Sequence, residues 1–164
     1  MTTADESTTT ESGAGFTHHM AAPDEGHGAA IHLNNLGVAQ VLFEARGAFL
    51  SGLDIEGGIW KQPVTPLIRE LLIGYQSEVM PGAPLACRIL VVSRSRRAFV
   101  MEESVSDLSD GAAPRLVATC RGVHVAVESA RGGSVEMPDS LIDAIAVRQG
   151  APVPYADGQE RPTS

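Results

Sequence analysis

Three polar side chains stand at the head of an apolar helical pattern in IHLNNLGVAQVLFEARGAFL, which runs from Ile31 to Leu50. Asn34 and Asn35 are of the type that caps a helix by accepting hydrogen bonds from the free amides of its first turn. His32 is of the type that exchanges a proton near neutral pH. On residue type alone, the trio reads either as caps beside a loop histidine or as a place where something reacts. Other chemistry-bearing groups lie close in sequence. Asp24 and Glu25 fall in APDEGHGAAIH, where carboxylates are most often solvated turn residues. His18, His19 and His27 raise the question of a metal site with His32. Their spacing matches no standard ligand set, and loop or edge histidines are the better reading. SRSRR, Ser93 to Arg97, is the dense basic cluster of an acidic chain. It reads as a solvated hairpin or as guanidinium forks for phosphate oxygens. Cys87 and Cys120 each sit in an apolar, strand-like run, so they read as buried thiols and not as a disulfide or zinc framework.

The element that must position the polar trio is a long helix. Leu36, Ala39, Phe43, Gly47 and Leu50 recur at helical spacing, with Leu42, Ala45 and Phe49 widening the stripe. Gly37 and Gly47 lie within it, and glycine costs about 1 kcal/mol relative to alanine in a helix interior. The two glycines therefore predict a sheet or second helix passing close by. Gly52 is the expected C-cap. Strand-like runs follow: PLIRELLIGYQSEV from Pro66 to Val79, PGAPLACRILVVSRS, RAFVMEESVSDLSDG and RLVATCRGVHVAVES. In the third, Phe99, Met101, Glu103 and Val105 share one face by the period of two. In the fourth, Leu116, Ala118, Cys120, Gly122, His124 and Ala126 oppose Val117, Thr119, Arg121, Val123, Val125 and Val127. PDSLIDAIAVRQ closes as a short helix with Asp139 as its expected N-cap. One helix followed by a meander of long strands is an α+β pattern, with the sheet wrapped around the helix.

The 164 residues carry a formal net charge of −8. That argues against general nucleic-acid binding, which needs a basic face for phosphates. The length suits one domain with a real core. MTTADESTTTESGAG has neither a basic n-region nor an apolar h-region, and no apolar run reaches the roughly 18 residues a membrane helix needs. A cytoplasmic protein without a membrane partner is the expectation. Residues 1–14 hold almost no large apolar side chains and are expected to be disordered. The folded domain is placed at 15–149, and 150–164, rich in Pro, Gly and polar residues, is expected to be a flexible tail.

HLNN followed by VLFEARGAFL resembles the helix signature of hotdog-fold acyl-CoA thioesterases, the 4-hydroxybenzoyl-CoA thioesterase-like family. There a His-Val-Asn-Asn element leads into a helix carrying Phe-Glu-Glu-Ala-Arg. The spacing from His32 to Glu44-Ala45-Arg46 fits without a gap, and Phe43 stands where the first glutamate would be. The later strands, a Pro-Gly corner and the last helix are similar in order and spacing, so the resemblance covers nearly the whole domain.

This resemblance implies a hotdog fold, an antiparallel sheet wrapped around one long central helix, assembled as a homodimer or homotetramer. It implies hydrolysis of an acyl thioester of coenzyme A or acyl-carrier protein to an acid and a thiol, with no cofactor and no metal. Amides near Asn35, Leu36 and Gly37 would hold the developing oxyanion. The family's aspartate stands four residues before the histidine, where this chain has Gly28. Asp24 or Glu25 would then replace it through a short insertion, or His32 would act as base, or Asn34 and Asn35 would hold a polarised water. If none does, the chain is a non-catalytic acyl-thioester-binding protein. A hotdog hydratase or dehydratase ranks lower, since the chain has no Asp-x-Asn-Pro-x-His or Gly-His-Phe-Pro element. Glu44 lies roughly 15 Å along the helix from its start, which favours a structural or interface role over a catalytic one. Arg94, Arg96 and Arg97 would clamp the phosphates of coenzyme A. Trp60 would pack the loop after the helix or line the acyl slot.

Overall fold

Strands that alternate apolar and polar residues bury one face, and here that face meets a helix. The computed structural model describes residues 13–24, 32–111 and 113–156. Its elements are β1 (Phe16–Ala21), α1 (Asn35–Ser51), β2 (Val64–Tyr75), β3 (Pro84–Arg94), β4 (Ala98–Asp107), β5 (Arg115–Glu128) and α2 (Asp139–Gln149). The strands form one antiparallel sheet in the order β1-β3-β4-β5-β2. This is the hotdog architecture. The expected element order began with the long helix and lacked β1. FTHHMA carries two histidines that dilute its apolar alternation, and the strand is specified by pairing with β3, from Phe16 opposite Ile89 to Ala21 opposite Pro84.

The buried side of α1 is Val38, Val41, Leu42, Ala45, Arg46, Phe49 and Leu50. That stripe is rotated from the one expected. Leu36 and Phe43 lie outside it, 63% and 67% exposed, so α1 is apolar on a second side that a single chain leaves uncovered. The glycines also have different causes from the one predicted. A Cβ on Gly37 would lie 2.5 Å from Leu33, in the segment just before the helix, while Gly47 faces open space. Gly52 is the C-cap, as expected. Its place is taken up by the Arg148 guanidinium of α2, 2.2 Å from where a Cβ would stand.

On β4 the alternation holds, and Phe99, Met101, Glu103 and Val105 are all buried. Glu103 is acceptable there because Arg46 of α1 reaches it with two hydrogen bonds of 2.6 Å. On β5 the inward series runs from Ala118 to Ala126, but Leu116 is exposed and Val117 buried. The register slips by one between Val105 and Ser106 of β4, so the bulge at Val117 reverses the phase expected for that end of the strand.

α2 starts at Asp139 with Pro138 in the N-cap position, one residue before the cap expected. Proline pre-sets φ for this entry but has no side chain able to cap. At the other end, Gln149 is buried. Its Oε1 accepts from the Val91 N–H at 2.8 Å, and its Nε2 donates to the Val91 carbonyl at 3.2 Å, beside a bulge in β3. The chain after α2 is not a free tail through Ala156. Val153 is buried, Arg94 and Pro154 share a backbone hydrogen bond, and the Arg94 guanidinium stacks on Tyr155 at 4.3 Å. Residues 1–12 and 157–164 lie outside the described residues. Among the described residues, no helix is long and apolar enough to cross a membrane.

The Arg46–Glu103 pair makes a stability prediction. Glu103→Leu strands a buried guanidinium and should cost about 3–5 kcal/mol, whereas the double variant Arg46→Met/Glu103→Leu should lie within about 1 kcal/mol of wild type. Urea unfolding of the three proteins checks this. Equal losses in single and double variants would mean that the stranded charge is not the source of the cost.

Candidate functional site at the head of the central helix

Asn34 is the N-cap of α1. Its backbone is extended, and its side-chain oxygen accepts from the Gly37 N–H at 2.9 Å. The Val38 N–H donates to the Asn34 carbonyl at 3.1 Å. Asn35 is the first helical residue. With the Gly37 and Val38 amides engaged, the first-turn donors without a partner among the described residues are those of Asn35 and Leu36. The Gly37 N–H, expected among the oxyanion donors, is here held by the Asn34 side chain.

The chain ahead of α1 is held by the segment after β2. The Leu33 N–H donates to the Val79 carbonyl at 2.9 Å, and both side chains are buried. This junction brings in two groups the sequence reading had not placed at the site. Tyr75, the last residue of β2, donates its hydroxyl to the Asn35 carbonyl at 3.4 Å. Glu78 places Oε2 3.2 Å from His32 Nε2. Both residues belong to GYQSEV, which reads in sequence as the end of a strand. The polar QSE before the Pro81-Gly82 corner hinted at a turn there, but no spacing connects residue 78 to residue 32.

The other candidates are scattered. Asp24 is exposed, with Oδ1 against Gly82 at the corner before β3. Glu25, His27 and Gly28 lie outside the described residues. Glu44 sits on the open side of α1, where it accepts from Gln40 at 2.9 Å. Trp60, in a short helical turn at Ile59–Lys61, donates to Ser51 Oγ at 3.0 Å. That is the far end of α1, roughly 25 Å from the first turn, so Trp60 does not reach the same chain's helix head. The arginine cluster occupies the β3–β4 turn. β3 begins beside the corner that meets the helix head and rises roughly 30 Å before that turn. Arg94 is engaged by Tyr155 and lies 3.9 Å from Asp139, Arg96 pairs with Glu136 at 3.1 Å, and Arg97 is exposed. Within one chain these arginines do not converge with Asn35. His18 and His19 point to opposite sides of β1, and no group of three or more metal-binding side chains occurs among the described residues.

Titratable groups deeper in the molecule are ruled out as reacting groups at this site. Burial pushes the Cys87 thiol up to about 12 and the Cys120 thiol up to about 11, so both stay protonated. Burial, with the nearby Arg46 charge, lowers His124 to about 4, and its ring stacks on Phe99 with centroids 4.9 Å apart.

Beside the helix head, β2 is the sheet edge and is apolar on both sides. Ile68, Leu71 and Tyr75 share the α1 side, opposite His124, Gly122 and Ala118 of β5. Leu67 and Leu72 are also exposed, Leu72 by 68%.

A capped central helix laid against a five-stranded antiparallel sheet defines a hotdog-fold protein. The profile of the thioesterase-like superfamily matches residues 18–145, and the chain belongs to that family. Solved structures share the fold. The 1,4-dihydroxy-2-naphthoyl-CoA thioesterase of Synechocystis is 17% identical, with a TM-score of 0.67 over 80% of this chain and 96% of that one. A 4-hydroxybenzoyl-CoA thioesterase mutant complexed with 4-hydroxybenzoyl-CoA is 14% identical, with a TM-score of 0.71 over 81% and 99%. A Staphylococcus aureus protein in complex with CoA is 13% identical, with a TM-score of 0.72 over 92% and 96%. No curated protein is a sequence match.

Two measurements test this description. Asn34→Ala should lose about 1 kcal/mol of stability by uncapping α1, read as a lower urea midpoint. His124 has a folded value of about 4 against 6.5 ordinarily, so protonation favours unfolding. Its contribution is complete above pH 6.5 and is lost as pH falls from there toward 4, by on the order of 3 kcal/mol. His124→Phe removes the titration and keeps a ring against Phe99. The stability of wild type relative to this variant should fall across that window, and a pH-independent difference would contradict the assignment.

Proposed function

We propose that the protein hydrolyses an acyl thioester at the head of α1. The observation that carries this reading is the capped first turn of α1, where the Asn35 and Leu36 N–H groups lack an intrahelical partner, with His32 two residues before the cap. Attack on a thioester builds negative charge on the carbonyl oxygen, and preorganised N–H donors at a helix N-terminus suit it. His32 takes the proton of the attacking water, the role for which Gly28 offers no carboxylate. The C–S bond then breaks, the thiol leaves with a proton, and the acid remains. Asp24, at the corner before β3, and Glu44, on the open side of α1, rank behind His32, and Glu25 stays an alternative base.

The thiol is coenzyme A or an acyl-carrier protein. The aryl-CoA thioesterases and the CoA complex among the related structures support the former. The acyl chain runs along the uncovered side of α1, beside Leu36 and the inner edge of β2. Two copies pair through β2, because an edge strand apolar on both sides otherwise stays open to water. A tetramer is two such pairs. The second reading, a non-catalytic acyl-thioester-binding protein, draws its support from Gly28.

A panel of aryl, short-chain and long-chain acyl-CoAs, followed by thiol release, tests the proposal. Hydrolysis is expected with at least one class, and His32→Ala should lower kcat about 100-fold. An equal loss in Asp24→Ala or Glu25→Ala, with His32→Ala active, would move the base to that carboxylate. Tight binding of the esters without any thiol release would favour the binding protein.

A further inference from the structure

We propose that Glu78 is a positioning residue that selects which nitrogen of His32 does the chemistry. This rests on the hydrolytic reading above and sharpens it. Glu78 Oε2 lies 3.2 Å from His32 Nε2. A carboxylate there accepts from Nε2–H, so the neutral ring keeps its proton on Nε2 and presents a bare Nδ1. Nδ1 is then the atom that receives the water proton as the water oxygen bonds to the carbonyl carbon. The same proton goes to the departing sulfur when the C–S bond breaks.

The pair is not explained by stability. The two side chains are 43% and 74% exposed, and ion pairs so exposed contribute little. Yet its geometry is set from both sides. One residue beyond His32 is Leu33, and one residue beyond Glu78 is Val79. Those two share the 2.9 Å backbone hydrogen bond and are 7% and 1% exposed. The backbone thus holds the partners face to face, and only short side chain torsions remain to be ordered. Tyr75, three residues before Glu78, donates to the Asn35 carbonyl. The end of β2 and the segment after it therefore meet the helix head twice, at the Asn35 carbonyl and at His32.

The test joins spectroscopy to kinetics on the full chain. With 15N-labelled histidine, long-range proton–nitrogen correlation on the alkaline side of neutrality should show His32 protonated on Nε2 and bare on Nδ1, the signal being assigned by its loss in His32→Gln. Glu78→Ala should shift His32 toward a mixture of tautomers and lower kcat about tenfold, with KM within about twofold and an unchanged thermal midpoint. Glu78→Gln keeps an acceptor oxygen and should retain both the tautomer and most of kcat. A His32 signal in Glu78→Ala identical to wild type, or thiol release at the wild-type rate, would overturn the role of Glu78. Wild-type protein with the Nε2–H tautomer that hydrolyses no acyl thioester would overturn the hydrolytic reading, and the role in water activation with it, while leaving the pair itself in place.

Discussion

Arg46 crosses from the middle of α1 to Glu103 in the middle of β4, and few contacts in the molecule leave so little freedom. A buried guanidinium gripped by both oxygens of a carboxylate has one position along the helix and one about its axis. Fixing the rotation of α1 decides which of its apolar residues are covered. Val38, Leu42, Ala45 and Phe49 go inward, and Leu36 and Phe43 are left facing out. It also decides where the first turn points. The Asn35 carbonyl thereby meets the Tyr75 hydroxyl at the end of β2.

The fold was legible in sequence wherever one strong period dominated. β4 read correctly down to the inward Glu103, since strict alternation survives one charged member. α1 was legible in type and in both caps but not in rotation. Apolar residues occur on two of its sides, and only the partner of Arg46 says which side is inward. β1 was too short and too polar to announce itself, because its apolar contribution is made by pairing with β3. The end of β5 misled, since a bulge moves the pattern by one residue and leaves no mark on composition. The segment after α2 was misread because Pro and Gly report local stiffness. They say nothing of Val153 filling a gap or of Tyr155 receiving Arg94.

The site divides in the same way. Asn34 as cap and His32 beside it follow from local sequence. Gly37 could not be separated from its neighbours as a donor, because the Asn34 side chain chooses its acceptor geometry only in three dimensions. Glu78 and Tyr75 arrive by a hydrogen bond between residues far apart in the chain, Leu33 and Val79. The arginines of the β3–β4 turn stand out because charge density is visible in sequence. Distance from the helix head is not, and two of the three already serve Tyr155 and Glu136.

Gly52 has a consequence of another kind. The space beside it is filled by Arg148, which also lies over the Phe16 ring at 4.4 Å and donates to the Ala48 carbonyl at 3.2 Å. A side chain at 52 would push that guanidinium away from both partners. The three atoms nearest to such a Cβ all belong to Arg148, so a short residue at 148 leaves the space open. The two positions are therefore epistatic. What the cap of the central helix accommodates at 52 is thus set by where a side chain from the opposite end of the chain lies.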